Sequence, residues 1–197
     1  KLLVKDKDTG TISSSSYFAL YKDNKWGVIN SNGDIVIDPA YQEMIVIPNS
    51  KNAIFICTYD IDYETGEYKT KVLNEKNQEI FTNYDKVEAI ANKDENNNLW
   101  YEENILKVEK NGKYGIINST GKELTLIEYD EITASAGIKN SLKVKKDNKY
   151  GIINEDGKVV IPTSYADIEE IGISYAGTPA YATEMKEMAE RAKLGQF

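Results

Sequence analysis

Apolar and polar residues alternate along most of this chain in short runs, and Asp-Asn, Asn-Gly or Asp-Gly dipeptides cut the runs at close intervals. Period-two alternation predicts strands, and dipeptides that accept positive φ predict tight turns between them. Phe18 to Tyr21, the turn Asp23-Asn24, Trp26 to Asn30, the turn Asn32-Gly33 and Asp34 to Ile37 read as three strands in succession. Pro39 cannot donate to a ladder and ends the third. Tyr41 and Met44 then form an aromatic-x-x-aliphatic pair that begins a fourth strand or a single helical turn.

This grammar returns. Leu106-Lys107-Val108, Asn111-Gly112, Tyr114 to Asn118, Thr120-Gly121 and Glu123 to Ile127 lead to Tyr129 and Ile132. Leu142-Lys143-Val144, Asp147-Asn148, Tyr150 to Asn154, Asp156-Gly157 and Val159 to Ile161 lead to Tyr165 and Ile168. A degraded copy holds Ala53 to Cys57, Lys71 to Asn74, Asn77-Gln78, Tyr84 and Val87. Asn30, Asn74, Asn118 and Asn154 recur at intervals of 44, 44 and 36 residues. A period of about 40 residues means supersecondary units stacked side by side. Each such meander cannot cover its own apolar face alone.

The expected fold is therefore all-β: four units of three or four antiparallel strands at 17–47, 53–90, 104–135 and 141–170, propeller-like or an open twisted solenoid, in a domain spanning 1–172. Ahead of them Leu2 to Val4 and Thr11-Ile12 flank a Gly-containing turn and read as a hairpin, with Ser13 to Ser16 as a joint. Two polar, acidic excursions at 60–68 and 92–104 are expected to protrude as loops. Residues 173–197 read as a separate segment. Thr178-Pro179 suits a helix start and Gly195 a helix end, and Tyr181, Met185, Met188 and Ala192 recur at i, i+4, i+7 and i+11, an apolar stripe on a short helix. That helix caps the last unit or belongs to a following element.

Composition narrows the chemistry. The chain has no histidine, one cysteine, one arginine and a net charge of -8. Imidazole-based nucleophile pairs and metal sites are absent, and an acidic chain with a single guanidinium is not a nucleic-acid binder. Cys57 lies in a buried-strand pattern and reads as a core thiol. No apolar run approaches a transmembrane span, and no signal peptide opens the sequence, whose first residue is Lys1. Asp60, Asp62 and Glu64 resemble the opening of a calcium loop, but Thr65 stands at the usual glycine place and Lys71 at the twelfth position, so an acidic loop tip is the expected reading. Carboxylate pairs such as Glu102-Glu103 sit in polar stretches where solvated side chains are expected. No catalytic residue and no cofactor are expected.

The pattern aromatic-Gly-(Val/Ile)-Ile-Asn, then a Gly turn, an aliphatic strand and Tyr-x-x-(Ile/Met) resembles the WG, or KWG, repeat, carried here by Trp26-Gly27, Tyr114-Gly115 and Tyr150-Gly151. The unit at 53–90 departs from it, lacking the aromatic-Gly pair. The resemblance implies a bacterial β-rich repeat protein, extracellular or at the cell envelope, without shared catalytic residues and with a protein or cell-wall glycan as partner. A cytoplasmic location is the alternative. Trp26, Tyr114, Tyr150, Trp100 and Tyr101 are the candidate ligand-contacting residues, against the reading that the repeated aromatics are packing elements. The stretch 175–182 is similar to the closing segment of glucosaminidase domains in bacterial autolysins, which implies as an alternative the accessory targeting region of a peptidoglycan hydrolase. A structural spacer is the third reading.

Overall fold

A computed structural model describes residues 17–49, 51–94 and 96–170 in full and the backbone of 3–5 and 12–14. The helix read at 178–195 and the turn at 6–10 lie outside the described residues. The described chain is all strand and turn: β1 (Leu3–Lys5), β2 (Ile12–Ser14), β3 (Tyr17–Lys22), β4 (Lys25–Asn30), β5 (Ile35–Tyr41), β6 (Phe55–Tyr59), β7 (Lys69–Leu73), β8 (Glu79–Ile80), β9 (Lys86–Lys93), β10 (Leu99–Lys110), β11 (Lys113–Asn118), β12 (Glu131–Ala134), β13 (Leu142–Lys146), β14 (Lys149–Ile153) and β15 (Val159–Tyr165). They form open sheets in the orders β1-β2, β3-β4-β5, β6-β7-β8, β11-β10-β9 and β12-β13-β14-β15. Ser13 and Ser14 belong to β2, where they pair with Val4 and Leu3 rather than forming a joint.

Two compact units share the chain. One holds 1–89 and 103–128, the other 90–102 and 129–197, and the chain passes between them within β9 and β10.

Two kinds of turn repeat. The hairpins β3-β4, β10-β11 and β13-β14 close on Asp23-Asn24, Asn111-Gly112 and Asp147-Asn148, every one of these six residues at positive φ. This is the two-residue turn whose twist matches that of the flanking strands. The second kind is organised by the recurrent asparagine. Asn30 Oδ1 accepts the N–H groups of Asn32 and Asp34, both at 2.9 Å. Asn74, Asn118 and Asn154 do the same with the residues two and four places on, at 2.9–3.0 Å. In each, the third residue after the asparagine has positive φ: Gly33, Asn77, Gly121 and Gly157. The side-chain oxygen thus replaces the backbone acceptors that the turn cannot supply. Asn118→Ala is expected to lower stability by about 1–2 kcal/mol in urea unfolding, since two N–H groups lose their acceptor. Asn118→Asp is expected to retain most of it.

The excursion at 92–104 is not a loop. Asp94 Oδ1 accepts the N–H groups of Asn96 and Asn98, both at 2.9 Å, with Asn97 at positive φ. This reproduces the asparagine turn with aspartate in its place, and it extends β9 and β10 into a long hairpin. The excursion at 60–68 is a loop, as expected, between β6 and β7.

The glycine after each aromatic marks a close approach. Val28 pairs with Ile37 and Trp26 with Tyr41, so one residue of β4, Gly27, faces three of β5: Asp38, Pro39 and Ala40. Tyr150 with Tyr165 and Ile152 with Ile161 set Gly151 against Pro162, Thr163 and Ser164 in the same way. The bulged strand arches over the glycine. A Cβ on Gly27 would lie 2.4 Å from Ile37 O, and one on Gly151 2.5 Å from Ile161 O. In the third unit the strand expected at 123–127 is reduced to one bridge, Ile117 with Glu123. Thr125 Oγ1 instead accepts the Ile116 N–H at 3.0 Å, which leaves Leu126 exposed.

Units are joined through their fourth segments. In the first, Ile45 rather than Met44 turns inward, and Val46 bridges Ile56 of β6. In the second and third the segment after Tyr84 or Tyr129 becomes β9 or β12, each beside the first strand of the next unit, β10 or β13. β6 illustrates how both sides become covered. Phe55 and Cys57 pack with Val28, Ile37, Tyr41, Ile45 and Leu73, while Ile54 and Ile56 pack with Val72, Val87, Leu106, Val108 and Ile117. Alternating side chains of one strand therefore serve two successive cores. In the other unit, Tyr129, Ile132, Leu142, Val144 and Ile153 are buried.

Candidate functional site

The aromatic of each aromatic-Gly pair lies on a strand face where its ring is half-covered, neither sunk in the core nor fully exposed. Strand register decides what covers it. Tyr21 sits opposite Trp26, and their rings stack at 4.6 Å between centroids, tilted by 43°. Tyr21 itself is 56% exposed. At Tyr114 the covering group is Lys107, its Nζ 5.3 Å from the ring centroid. At Tyr150 two ammonium groups contribute, Lys143 at 4.7 Å and Lys145 at 5.4 Å. Such contacts draw on the ring quadrupole and bury the aliphatic stems of the lysines. Lys107 and Lys143 hold the middle position of the repeated Leu-Lys-Val, so the signal for this pairing was in the sequence: a strand lysine at fixed register to the aromatic.

Other aromatics form related clusters. Lys71 Nζ lies 5.5 Å from the Tyr41 ring centroid and 5.4 Å from that of Tyr59. Burial raises the Tyr41 hydroxyl above its ordinary value, and it pushes the neighbouring Cys57 thiol up to about 11. Cys57 is thus a protonated core thiol at neutral pH, with no nucleophilic character. Tyr68 donates to Glu88, and Lys107 Nζ stands 3.8 Å from the same carboxylate. Trp100 and Tyr101 are half-buried on β10, with Lys139 Nζ 5.7 Å from the Trp100 centroid. Of the five candidates, Trp26 and Tyr114 belong to one compact unit and Trp100, Tyr101 and Tyr150 to the other. The structure places Trp26, Tyr114 and Tyr150 at equivalent positions of separate repeats.

The acidic loop is engaged with itself. Asp62 Oδ1 accepts the N–H groups of Glu64 and Thr65, which hold its carboxyl below the ordinary value. Asp60 pairs with Lys69 at 2.9 Å. Among the described residues no group of three or more Cys, Asp or Glu side chains is placed to hold a metal ion, and no helix is long and apolar enough to cross a membrane.

One expectation is overturned. Glu102 and Glu103 are not a solvated pair. Glu103 is exposed, whereas Glu102 is 2% exposed with Oε1 lacking any hydrogen-bond partner. Burial, then the hydrogen bond and charge of Glu155, push its carboxyl up to about 8, against the opposing pull of Lys139 and Asn92. Asn92 beside it is also buried. Its Nδ2 donates to the Ser135 carbonyl at 3.1 Å, and its Oδ1 accepts the Gly137 N–H at 2.9 Å.

Residues 26–56, 114–150 and 150–171 match the WG containing repeat. The matched segments include Gly27, Gly115 and Gly151 together with the aromatic ahead of each. No curated protein matches the chain.

Proposed function

We propose, because this chain is built of WG repeats and belongs to that family, that it is a non-catalytic binding module for a protein or a cell-wall glycan at the bacterial cell envelope. The observation that carries the reading is the Tyr21–Trp26 pair, in which an exposed Tyr21 stacks on a half-covered Trp26. Two tilted rings offer an apolar surface edged by polar groups, suited to a sugar face or an apolar side chain. The equivalent rings at Tyr114 and Tyr150 are capped by lysines, which suits the acidic groups of a peptide or a muropeptide.

The test uses the full chain and insoluble peptidoglycan, with an envelope protein fraction in a parallel arm. Co-sedimentation with one of the two is expected, and Tyr21→Ala is expected to weaken it about tenfold, near 1.4 kcal/mol. Tyr21 is surface-exposed, so the variant keeps its fold. Release of soluble fragments from the peptidoglycan would contradict the non-catalytic reading. Binding that Tyr21→Ala leaves unchanged would remove the aromatic pair from it.

A further inference from the structure

A repeat presents one face to its successor and another to its predecessor. The outgoing face of the first repeat is Val28, Ile37, Tyr41 and Ile45, all buried against Phe55, Cys57 and Leu73 of the second. Those last three residues form an incoming face. Strand register gives its equivalents as Leu106, Val108 and Ile117 in the third repeat, Leu142, Val144 and Ile153 in the fourth, and Phe18, Leu20 and Ile29 in the first. In the second, third and fourth repeats these positions are all buried, whereas Phe18, Leu20 and Ile29 are only half-buried. The outgoing face of the fourth repeat stands apart in the same way. Ile152, Ile161 and Tyr165 correspond to Val28, Ile37 and Tyr41. None of them is buried, and Tyr165 is 52% exposed against 9% for Tyr41.

Backbone pairing is incomplete at the same two places. Between repeats, the segment after the tyrosine bonds the first strand of the next repeat. Val46 and Ile56 exchange two N–H···O bonds, at 3.1 and 2.9 Å. Asp85 N–H donates to Glu109 O, and Asp130 N–H to Lys145 O, each at 2.8 Å. Ala19 holds the register place of Ile56, and Tyr21 that of Glu109 and Lys145. Yet β3 is the end strand of its sheet, and no described strand lies beside Ala19 and Tyr21 on that edge. Ala166 follows Tyr165 as Asp85 follows Tyr84, but 167–170 form no strand. One side-chain bond also differs. Asp85 and Asp130 each accept, through Oδ2, an N–H of the next repeat's two-residue turn, Asn111 at 2.7 Å and Asp147 at 2.9 Å. Ala166 cannot do this for Asp23 of the β3-β4 turn. Gln42 stands at that place after Tyr41, and Tyr41 is buried all the same, so the clasp strengthens the contact without being required for it.

We propose that the fourth repeat of one copy of this chain docks on the first repeat of another. Ile152, Ile161, Tyr165 and Ile168 cover Phe18, Leu20 and Ile29, and Ala166 N–H donates to Tyr21 O. The partner is a second copy because the two unsatisfied faces are the two halves of the contact that joins repeats within the chain. The contact is head-to-tail, so it extends beyond a dimer. The experiment is sedimentation velocity of the full chain over a concentration series reaching about 1 mM, with Ala19→Pro, Tyr165→Glu and Ala166→Asp. Ala19 is exposed and its N–H points away from β4, as that of Ile56 does, so proline there spares the β3-β4 ladder. The parent is expected to grow past the dimer as concentration rises. Ala19→Pro and Tyr165→Glu are each expected to stay monomeric alone and, mixed in equal amounts, to form a dimer that grows no further, since each keeps one intact end. That dimer also reports that both variants are folded. Ala166→Asp, at an exposed position, supplies the clasp for the Asp23 N–H and is expected to assemble at about tenfold lower concentration. A parent and an Ala166→Asp variant that both remain monomeric would overturn the proposal. So would a parent that stops at a dimer, or a mixture of the two blocked variants that stays monomeric while the parent associates.

Discussion

Gly151→Ala and Gly27→Ala are each expected to lower the unfolding free energy by about 3 kcal/mol, with Gly115→Ala costing about 1 kcal/mol. Conformational freedom is not the cause, because none of the three glycines has the positive φ that favours glycine. The cause is backbone. At Gly151 the added methyl would lie 2.5–2.8 Å from Ile161 O, Pro162 C and Thr163 N, and at Gly27 it would lie 2.4–2.9 Å from Ile37 O, Pro39 N and Asp38 C. Backbone atoms pinned by ladder bonds on either side of a bulge cannot step aside as a side chain can. At Gly115 the nearest atoms are 3.0–3.1 Å away, and two of the three belong to the side chains of Ile127 and Thr125. Urea unfolding of the three variants under one condition gives the ranking. Equal losses at all three positions would show that the arching strand is not what selects glycine.

Glu102→Gln is expected to stabilise the protein at pH 8 by roughly 2 kcal/mol and to leave it unchanged near pH 4.5. The carboxyl is buried and sits at about 8 in the folded chain, against an ordinary 4.5. Below about 4.5 the group is neutral in both states, and the folded chain keeps its full stability. As pH rises toward 8 the unfolded chain releases the proton while the folded one holds it, so stability falls across that window. Above 8 the folded carboxyl ionises as well and the loss levels off. Glutamine keeps the shape and removes the titration. Its expected signature is a flatter dependence of the urea midpoint on pH between 5 and 8. Parallel pH profiles for the two proteins would mean that water or a nearby ammonium already neutralises the site, with Lys139 the nearest cause.

Several elements were readable from residue order because they are local. Asp23-Asn24, Asn111-Gly112 and Asp147-Asn148 fix their hairpins through backbone preferences confined to two residues. The recurrent asparagine closes its turn with bonds to residues two and four places on, so its spacing carries the geometry. The Asp94 turn is equally local, but aspartate replaces asparagine there and Asn97 stands at the glycine position, so the repeated pattern does not reveal it. The strand read at 123–127 followed from its apolar pattern, yet Thr125 satisfies the Ile116 N–H with its side chain and leaves little to pair.

The amino-acid sequence by itself settled the repeat, its period, the positions of the turns and the all-β character, since each rests on alternation or on φ preferences within a few residues. Tertiary structure alone decided the rest. It chose Ile45 over Met44 as the inward side chain, set the fourth segment of the first three units against the next, buried Glu102 while leaving Glu103 in water, and gave each repeated aromatic its covering partner. These outcomes depend on which strand lies opposite at a given register, a relation between residues far apart in the chain that no local preference encodes.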